Sequence, residues 1–547
     1  MAGVALATGL ALISAVPAGA SGQSRARQGT AGDTIVLGAE QEPDCADWIG
    51  SCAGASWGVW TMQAHTMPRV FEIVKQGKVW VYEASNLVAS EPTVETVDGK
   101  QTVTYEINPD AVWSDGEPIT SSDFLYTWDQ IANGEDIYDA TGYDKIEGVD
   151  DSDPSTAVVT YADPYGGWKG LFGGAYGVLP SHILEGTDRT AAMVDGYSWS
   201  GGPFIIESWE RGVSVTLVPN DAYWGDKAKS TVVFQFITDT AAEFQAFKAG
   251  EVLAIYPQPQ IDVVEAIDAG IPDAESAFTG DTGNLEALWI NMAEAPFDSE
   301  KFRQAFAYAI DRDALVKRLF GGLGINKAVN SLNPPIQSAF SDTKAFAKYK
   351  LNLKKVDSLM KADGWKKNDD GVWEKDGEPA EIEIRSTTGN QRRELTEQIL
   401  QDQLAKAGFD LVINNQAAGD LFGQQLPDGD FQLALYAQVV TTLDPGLCVI
   451  LCSSNIPTED NDFSGQNFTR TDVAGLDDPL EAIDGSFDDE EKAKLGKKAD
   501  RIMAKAMISL PLDPLPNIAL WSKTLSGPKG DHPVFSVFVN LAEWELT

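Results

Sequence analysis

Between Ala380 and Asn414 the chain changes period twice, and that pattern admits few folds. "AEIEIRS" alternates as a strand, "RRELTEQILQDQLAKAG" runs as an amphipathic helix ending at Gly408, and "FDLVIN" reads as a second strand. Two strands joined through a full helix form a parallel pair with a right-handed crossover, so this region belongs to an α/β domain. Hairpins surround it. "PTVETV" and "QTVTYEI" meet at Asp98-Gly99, with Val103, Tyr105 and Ile107 on one face and Thr102, Thr104 and Glu106 on the other. "GGPFIIESWERGVSVTLVPNDAYWG", from Gly201, places two apolar runs around Glu210-Arg211-Gly212. "DDGVWEKDGEP" carries two Asp-Gly turns, after a helix that ends at Gly364, and "TIVLGA" supplies a first strand.

Length and charge narrow the possibilities further. At 547 residues the chain is expected to fold as two or three domains. Its 82 acids against 41 bases give a net charge of −41, which would repel nucleic acid and anionic membrane. The first twenty residues are uncharged and rich in Ala, Leu and Gly, and Ala18-Gly19-Ala20 fits a cleavage site. We therefore expect an export signal over 1–20, a linker over 21–32 and a soluble exported protein, with no Cys just after the signal to carry a lipid. Cys45, Cys52, Cys448 and Cys452 form two local pairs, as an oxidising compartment allows. Zinc-type spacing and nearby His are missing from both pairs. Two short-loop disulfides, each contributing roughly 2–3 kcal/mol, are the favoured reading, with three connectivities open.

Acid-rich stretches invite a catalytic reading. "VWSDGEPITSSDFLYTW", from Val112, holds three carboxylates among four aromatics. Yet Asp115 lies in a turn, and Thr120 with Asp123 has the form of a capping box for a helix whose apolar face is Phe124, Leu125, Trp128 and Ile131. Architecture is the reading these spacings favour. In "APFDSEKFRQAFAYAIDRDALVKRLF", Asp298 is the expected N-cap of a first helix, with Phe297 stapled to Phe302, and Asp311 caps a second. "GASWG", Gly54 to Gly58, matches a nucleophile elbow around Ser56, with His182 and His532 downstream, but "CADWIGSC" before it is not a hydrophobic strand. Asp281-Thr282-Gly283 occurs once, whereas aspartic-protease chemistry needs two such carboxylates. No nucleotide loop or paired-histidine metal motif occurs in the sequence, and no cofactor is expected.

Taken together, four segments resemble the extracellular solute-binding proteins of family 5, the oligopeptide- and dipeptide-binding components of ABC importers. They are "YEINPDAVWSDGEPITSSDFLYTW", "GGPFIIESWERGVSVTLVPNDAYWG", "NMAEAPFDSEKFRQAFAYAIDRDALV" and "ADGWKKNDDGVWEKDGEP", with "LPLDPLP" following near the end. The resemblance runs from about Thr34 to the C-terminus. It implies an α/β, periplasmic binding protein-like fold with two main lobes, a hinge and an inserted third domain. Domain I would comprise 33–72, 198–285 and 515–547, domain II 73–197, and domain III 286–514. It also implies a monomeric receptor without catalysis, whose lobes close on a small peptide or other solute and deliver it to membrane permease subunits at the periplasm or outer cell face.

The resemblance carries site expectations and one departure. Peptide binders of this family hold the ligand's α-amine with an Asp four residues before a Pro. In "LYAQVVTTLDPG" that position is Thr441, the preceding Trp position is Gln438, and Asp444 stands next to Pro445. A hydroxyl cannot neutralise an ammonium in a dry cleft. The ligand is therefore a peptide anchored otherwise, or a sugar or other solute lacking a free amine. Trp57, Tyr436 and Gln438 are candidate lining residues. Arg392 and Arg393 lie where an arginine would meet a ligand carboxylate, the alternative being solvated residues at a helix start. A secreted serine hydrolase using Ser56 is the reading from another class.

Overall fold

The computed structural model describes residues 34–547 except 51, 53–55, 175, 462, 535 and 536, and no side-chain placement for Ser56. The expected signal and linker, 1–32, lie outside the described residues. Among the described residues no helix is long and apolar enough to cross a membrane.

A seven-stranded sheet is assembled from three separate parts of the chain. In spatial order its strands are Ala274–Thr279, Asn517–Ser522, Ala254–Ile255, Thr34–Ala39, Thr231–Phe236, Ser214–Pro219 and Phe204–Glu210. The first strand pairs in parallel with Thr231–Phe236. The hairpin expected around Arg211-Gly212 forms its edge, with Gly212 at φ +72°.

A five-stranded sheet follows, ordered Asp410–Ile413, Glu381–Arg385, Leu433–Val439, Asn284–Ile290 and Ser509–Asp513. Here the expected crossover is present: Glu381–Arg385 pairs in parallel with Asp410–Ile413 across the helix Gln391–Ala407. Gly408 terminates that helix at φ +93°. A four-stranded antiparallel sheet, Thr93–Val97, Lys100–Glu106, Thr156–Tyr161 and Ile146–Asp153, makes a third lobe. Its Asp98-Gly99 turn has positive φ at both residues, and Val103 and Tyr105 are fully buried on its inner face.

Two short connections join the seven- and five-stranded sheets, one between Thr279 and Asn284 and the other between Asp513 and Asn517. Thr282 is buried between them, its Oγ1 3.1 Å from the carbonyls of Asn284, Pro514 and Leu515. Asn284 Nδ2 donates to Asn517 Oδ1 at 2.6 Å and to Tyr256 Oη at 3.0 Å, so both connections are tied to one polar knot. Paired crossings that share a knot permit rotation about their common line, which is hinge geometry.

Thr120 N donates to Asp123 Oδ2 at 2.9 Å, starting the helix Ser121–Asn133. The buried Asp123 also accepts from Trp113 Nε1 and from Ser181 N and Oγ, the last two at 2.7 Å. It is a structural acceptor with four donors. Asp115 is a turn residue, accepting from Glu117 N and facing His182 at 2.9 Å on the surface. Asp311 caps the helix Arg312–Phe320, and Phe297 meets Phe302 edge-on at 5.5 Å, as expected. The first cap differs. Ser299, not Asp298, accepts from Phe302 N, because the helix starts at Glu300 and Ser299 carries the extended backbone a cap requires.

Asp123→Ala strips four buried donors of their acceptor and should cost on the order of 3 kcal/mol or more, whereas Asp115→Ala should cost under about 1 kcal/mol. Urea midpoints followed by tryptophan fluorescence check the pair, and equal shifts would contradict the assignment.

Candidate functional site

The lobes meet around two adjoining cavities that share Trp60, Phe422, Ala437 and Val439 in their walls. One, of about 260 Å³, is walled by Tyr138, Asp139, Tyr165 and Tyr176 from the four-stranded lobe. Facing them are residues of the five-stranded lobe, including the loop after strand Leu433–Val439. The other, of about 520 Å³, lies beside the hinge and is lined by Glu40, Trp57, Tyr256, Gln258, Asn284 and Arg393 among others.

Aromatic rings set the shape. Trp57, Trp60 and Tyr256 form a mutual cluster with centroids 5.2–6.1 Å apart. Trp57 and Trp60 project from one short continuous helical run, Ser56–Gly58 followed by Val59–Gln63. Across the cleft Tyr436 stacks on Trp289 at 5.3 Å and receives the edge of Phe422 at 5.5 Å. Such surfaces present large apolar area at low cost in side-chain entropy.

Both disulfides brace these walls. Cys45–Cys52 closes the loop before the Trp57 helix, and Cys448–Cys452 closes the turn after Pro445. The loop between Val439 and Cys448 is further held from outside. Tyr82 Oη accepts from Leu443 N at 2.8 Å, Gln337 Nε2 donates to the Asp444 carbonyl at 2.6 Å, and Lys492 Nζ donates to Asp444 Oδ1 at 2.8 Å.

The structure distributes the sequence candidates unevenly. Tyr436, Gln438, Thr441 and Asp444 all line the smaller cavity, and Trp57 and Arg393 line the larger. Arg392 lines neither. The solvated alternative for the two arginines is incorrect: both are buried, because Glu286 draws them inward. Arg393 Nε donates to Glu286 Oε1 at 2.8 Å and Arg392 NH2 to Oε2 at 3.1 Å. Arg392 Nε also donates to Gln258 Oε1 at 3.1 Å, and Gln258 Nε2 to Glu40 Oε1 at 2.6 Å. Burial pushes the Glu286 carboxyl up, but the two guanidiniums outweigh it and leave it below the ordinary glutamate value. Asp513, nearby, is driven up to about 7 by burial.

Sequence reasoning did not find Glu40, Trp60, Tyr138, Asp139, Tyr165, Tyr176, Phe422, Asp484 or Lys492 as cavity residues. They come from distant segments and share no motif, so only a contact prediction could have grouped them.

The elbow geometry for Ser56 is not present in the described residues. Gln41–Gly50 contains no strand, and Gly58 is required by packing, since a Cβ there would lie 2.4 Å from the Trp48 ring. His182 is taken up with Asp115, and His532 is buried with Nε2 3.1 Å from the Ile73 carbonyl. No group of three or more metal-ligating side chains occurs among the described residues.

Two outcomes follow from these charges. Arg392→Met leaves Glu286 and Asp513 undercompensated and should lower stability by about 3–5 kcal/mol, partly restored by adding Glu286→Gln. Denaturant midpoints of the single and double variants test this coupling. Second, Glu397, Asp484, Asp500 and Asp513 each have a folded-state pKa of about 7, chiefly through burial. These exceed the unfolded values, so the folded chain binds extra protons across about pH 4–7, and stability falls as pH rises through that window. The melting temperature should be higher near pH 5 than near pH 8, as calorimetry can verify.

The family model for bacterial extracellular solute-binding proteins, family 5 Middle, matches residues 83–455. The oligopeptide-binding protein OppA of Mycobacterium tuberculosis is 25% identical over 489 residues, covering 85% of this chain and 77% of its own. Among solved structures, the oligopeptide-binding protein AppA of Bacillus subtilis, in complex with a nonapeptide, superposes with a TM-score of 0.82 at 19% identity, covering 94% of this chain and 99% of that one. NikZ of Campylobacter jejuni, in complex with Ni(L-His), superposes with a TM-score of 0.80 at 21% identity and the same coverage. With the family model matching well over half its length, the chain belongs to the bacterial extracellular solute-binding proteins of family 5.

Proposed function

We propose that this protein captures peptide-like solutes between its lobes and delivers them, chemically unaltered, to the permease subunits of an ABC importer. The single observation that carries the reading is the paired cavity, which draws its walls from the lobes built on all three large sheets and lies against the two hinge connections. A site assembled that way opens and closes as the lobes rotate, so ligand affinity and lobe closure are the same equilibrium. The relatives described as oligopeptide-binding supply the ligand class.

The lobes are assigned as domain I, 33–72, 198–285 and 515–547; domain II, 73–197; and domain III, 286–514. Trp57, Tyr436, Gln438, Thr441 and Asp444 act as lining residues, while Arg392 and Arg393 act through Glu286 in orienting the wall. The protein acts as a monomer, exported to the periplasm or the outer face of the cell membrane through the segment 1–20.

A second reading, an oligosaccharide or other non-peptide solute, is favoured by Thr441, which places a neutral hydroxyl in the cavity wall. Isothermal titration calorimetry with trialanine, pentaalanine and maltotriose, paired with small-angle scattering, separates the two. Peptide heats with a decreased radius of gyration are expected, and mass spectra of the mixture should show only the starting peptide. Heat from maltotriose alone would favour the second reading. Ester turnover abolished by Ser56→Ala would replace both with a hydrolase.

A further inference from the structure

Charges in the cleft wall do not balance. Carboxylates contributed to the two cavities are Glu40, Asp139, Asp239, Asp444 and Asp484, against Lys492 and Arg393. Both bases are already engaged: Lys492 with Asp444 at 2.8 Å and Arg393 with Glu286 at 2.8 Å. Asp239 caps the helix Thr240–Ala249, and Asp139 accepts from Thr141 N at 3.0 Å and Gln466 Nε2 at 3.2 Å.

Asp484 differs from these. Its carboxylate makes no hydrogen bond or ion pair among the described residues, though it is half-buried in the wall of the smaller cavity. It is also the last residue of the helix Asp477–Asp484, where the helix dipole disfavours a negative charge. The two cations that act on it, Lys145 and Lys492, are paired with Asp144 and Asp444. Burial, with Asp139 and Asp144 beside it, makes its charge costly to keep. The Asp484 carbonyl accepts from Gly166 N at 2.6 Å, so this helix end is where the five-stranded lobe touches the four-stranded one. Tyr165, next to that contact, stands in the fields of Asp484, Asp139 and Asp444 and lines the same cavity with Tyr138 and Tyr176.

An unpaired carboxylate at an unfavourable helix end, facing aromatic rings across a closing interface, is the arrangement that binds an organic cation. We propose that the solute is cationic and that its ammonium or guanidinium group seats on Asp484 in the smaller cavity, with Asp139 opposite and Tyr165 beside it. This rests on the solute-capture reading and deepens it by naming the class of cargo. The cation neutralises carboxylates that oppose each other across the interface, so it binds the closed arrangement in preference to the open one.

Calorimetry at low ionic strength with four probes tests this. N-acetyl-trilysine amide carries only side-chain ammoniums, trialanine amide only an α-ammonium, N-acetyl-trialanine amide no charge, and N-acetyl-triglutamate amide only carboxylates. One or both cationic probes should bind about tenfold or more tighter than the neutral one, with the anionic probe weakest. Which cationic probe leads identifies the source of the ammonium. Asp484→Asn should abolish the preference without lowering the unliganded melting temperature, since the side chain holds no structural bond, and Asp115→Asn should leave the preference intact. Equal affinities across probes, or a preference that survives Asp484→Asn, would overturn the inference while leaving solute capture standing. Absence of binding by all four probes would overturn both.

Discussion

The arrangement of the cleft depends on one buried ionic cluster, Glu286 clasped by Arg392 and Arg393. Glu286 lies on a strand that begins at one hinge connection, and Asp513 ends the strand that enters the other. Both arginines come from the start of the crossover helix, and Arg392 reaches through Gln258 to Glu40 at the end of the first strand. Moving charges out of water costs several kcal/mol each, so the cluster persists only when every partner is in register. That requirement locks the helix start, both hinge strands and the hinge-side cavity wall to one another.

Around this rigid seam the remaining wall is built from separate bodies. The four-stranded lobe contributes tyrosines and Asp139, and the five-stranded lobe contributes Tyr436, the Thr441 loop and Asp484. The Lys492–Asp444 pair and the Tyr82 and Gln337 contacts hold that loop in place, so its groups are pre-oriented before any solute arrives. The chain carries a net charge of −41, but surface charge is screened within about 8 Å at physiological salt. Carboxylates inside the cleft are screened far less, and they dominate what the cavity can accept.

Much of the fold was legible because its signals are local. The Asp98-Gly99 turn, the Thr120–Asp123 cap, the Asp311 cap and the 381–413 crossover each depend on residues within a few positions or within one hydrophobic period. The cap misplaced by one residue, Asp298 for Ser299, shows the limit: both residue types cap helices, and the backbone angle decides between them. Cavity-lining positions were legible where a family-like segment marked them, as for Gln438, Thr441 and Asp444, or where an aromatic ring suggested a wall, as for Trp57 and Tyr436. Arg392 and Arg393 were legible as residues at a helix start, but their buried environment was not. A helix start exposed to solvent and one pressed against Glu286 look identical along the chain, because the partner is more than a hundred positions away.

The amino-acid sequence alone determined the periods, turns and caps, the cysteine pairs available for bonding, the strong negative charge and the family. These follow from short-range sterics, hydrogen bonding and composition. Tertiary structure decided which acids serve as scaffolding and which stand unpaired in the cleft. Asp123 accepts hydrogen bonds from four donors and the Asp484 carboxylate, among the described residues, from none, although both are aspartates at helix ends. The free energy of a carboxylate depends on its solvent exposure and on the charges near it in space, and folding brings those together from segments far apart in the chain.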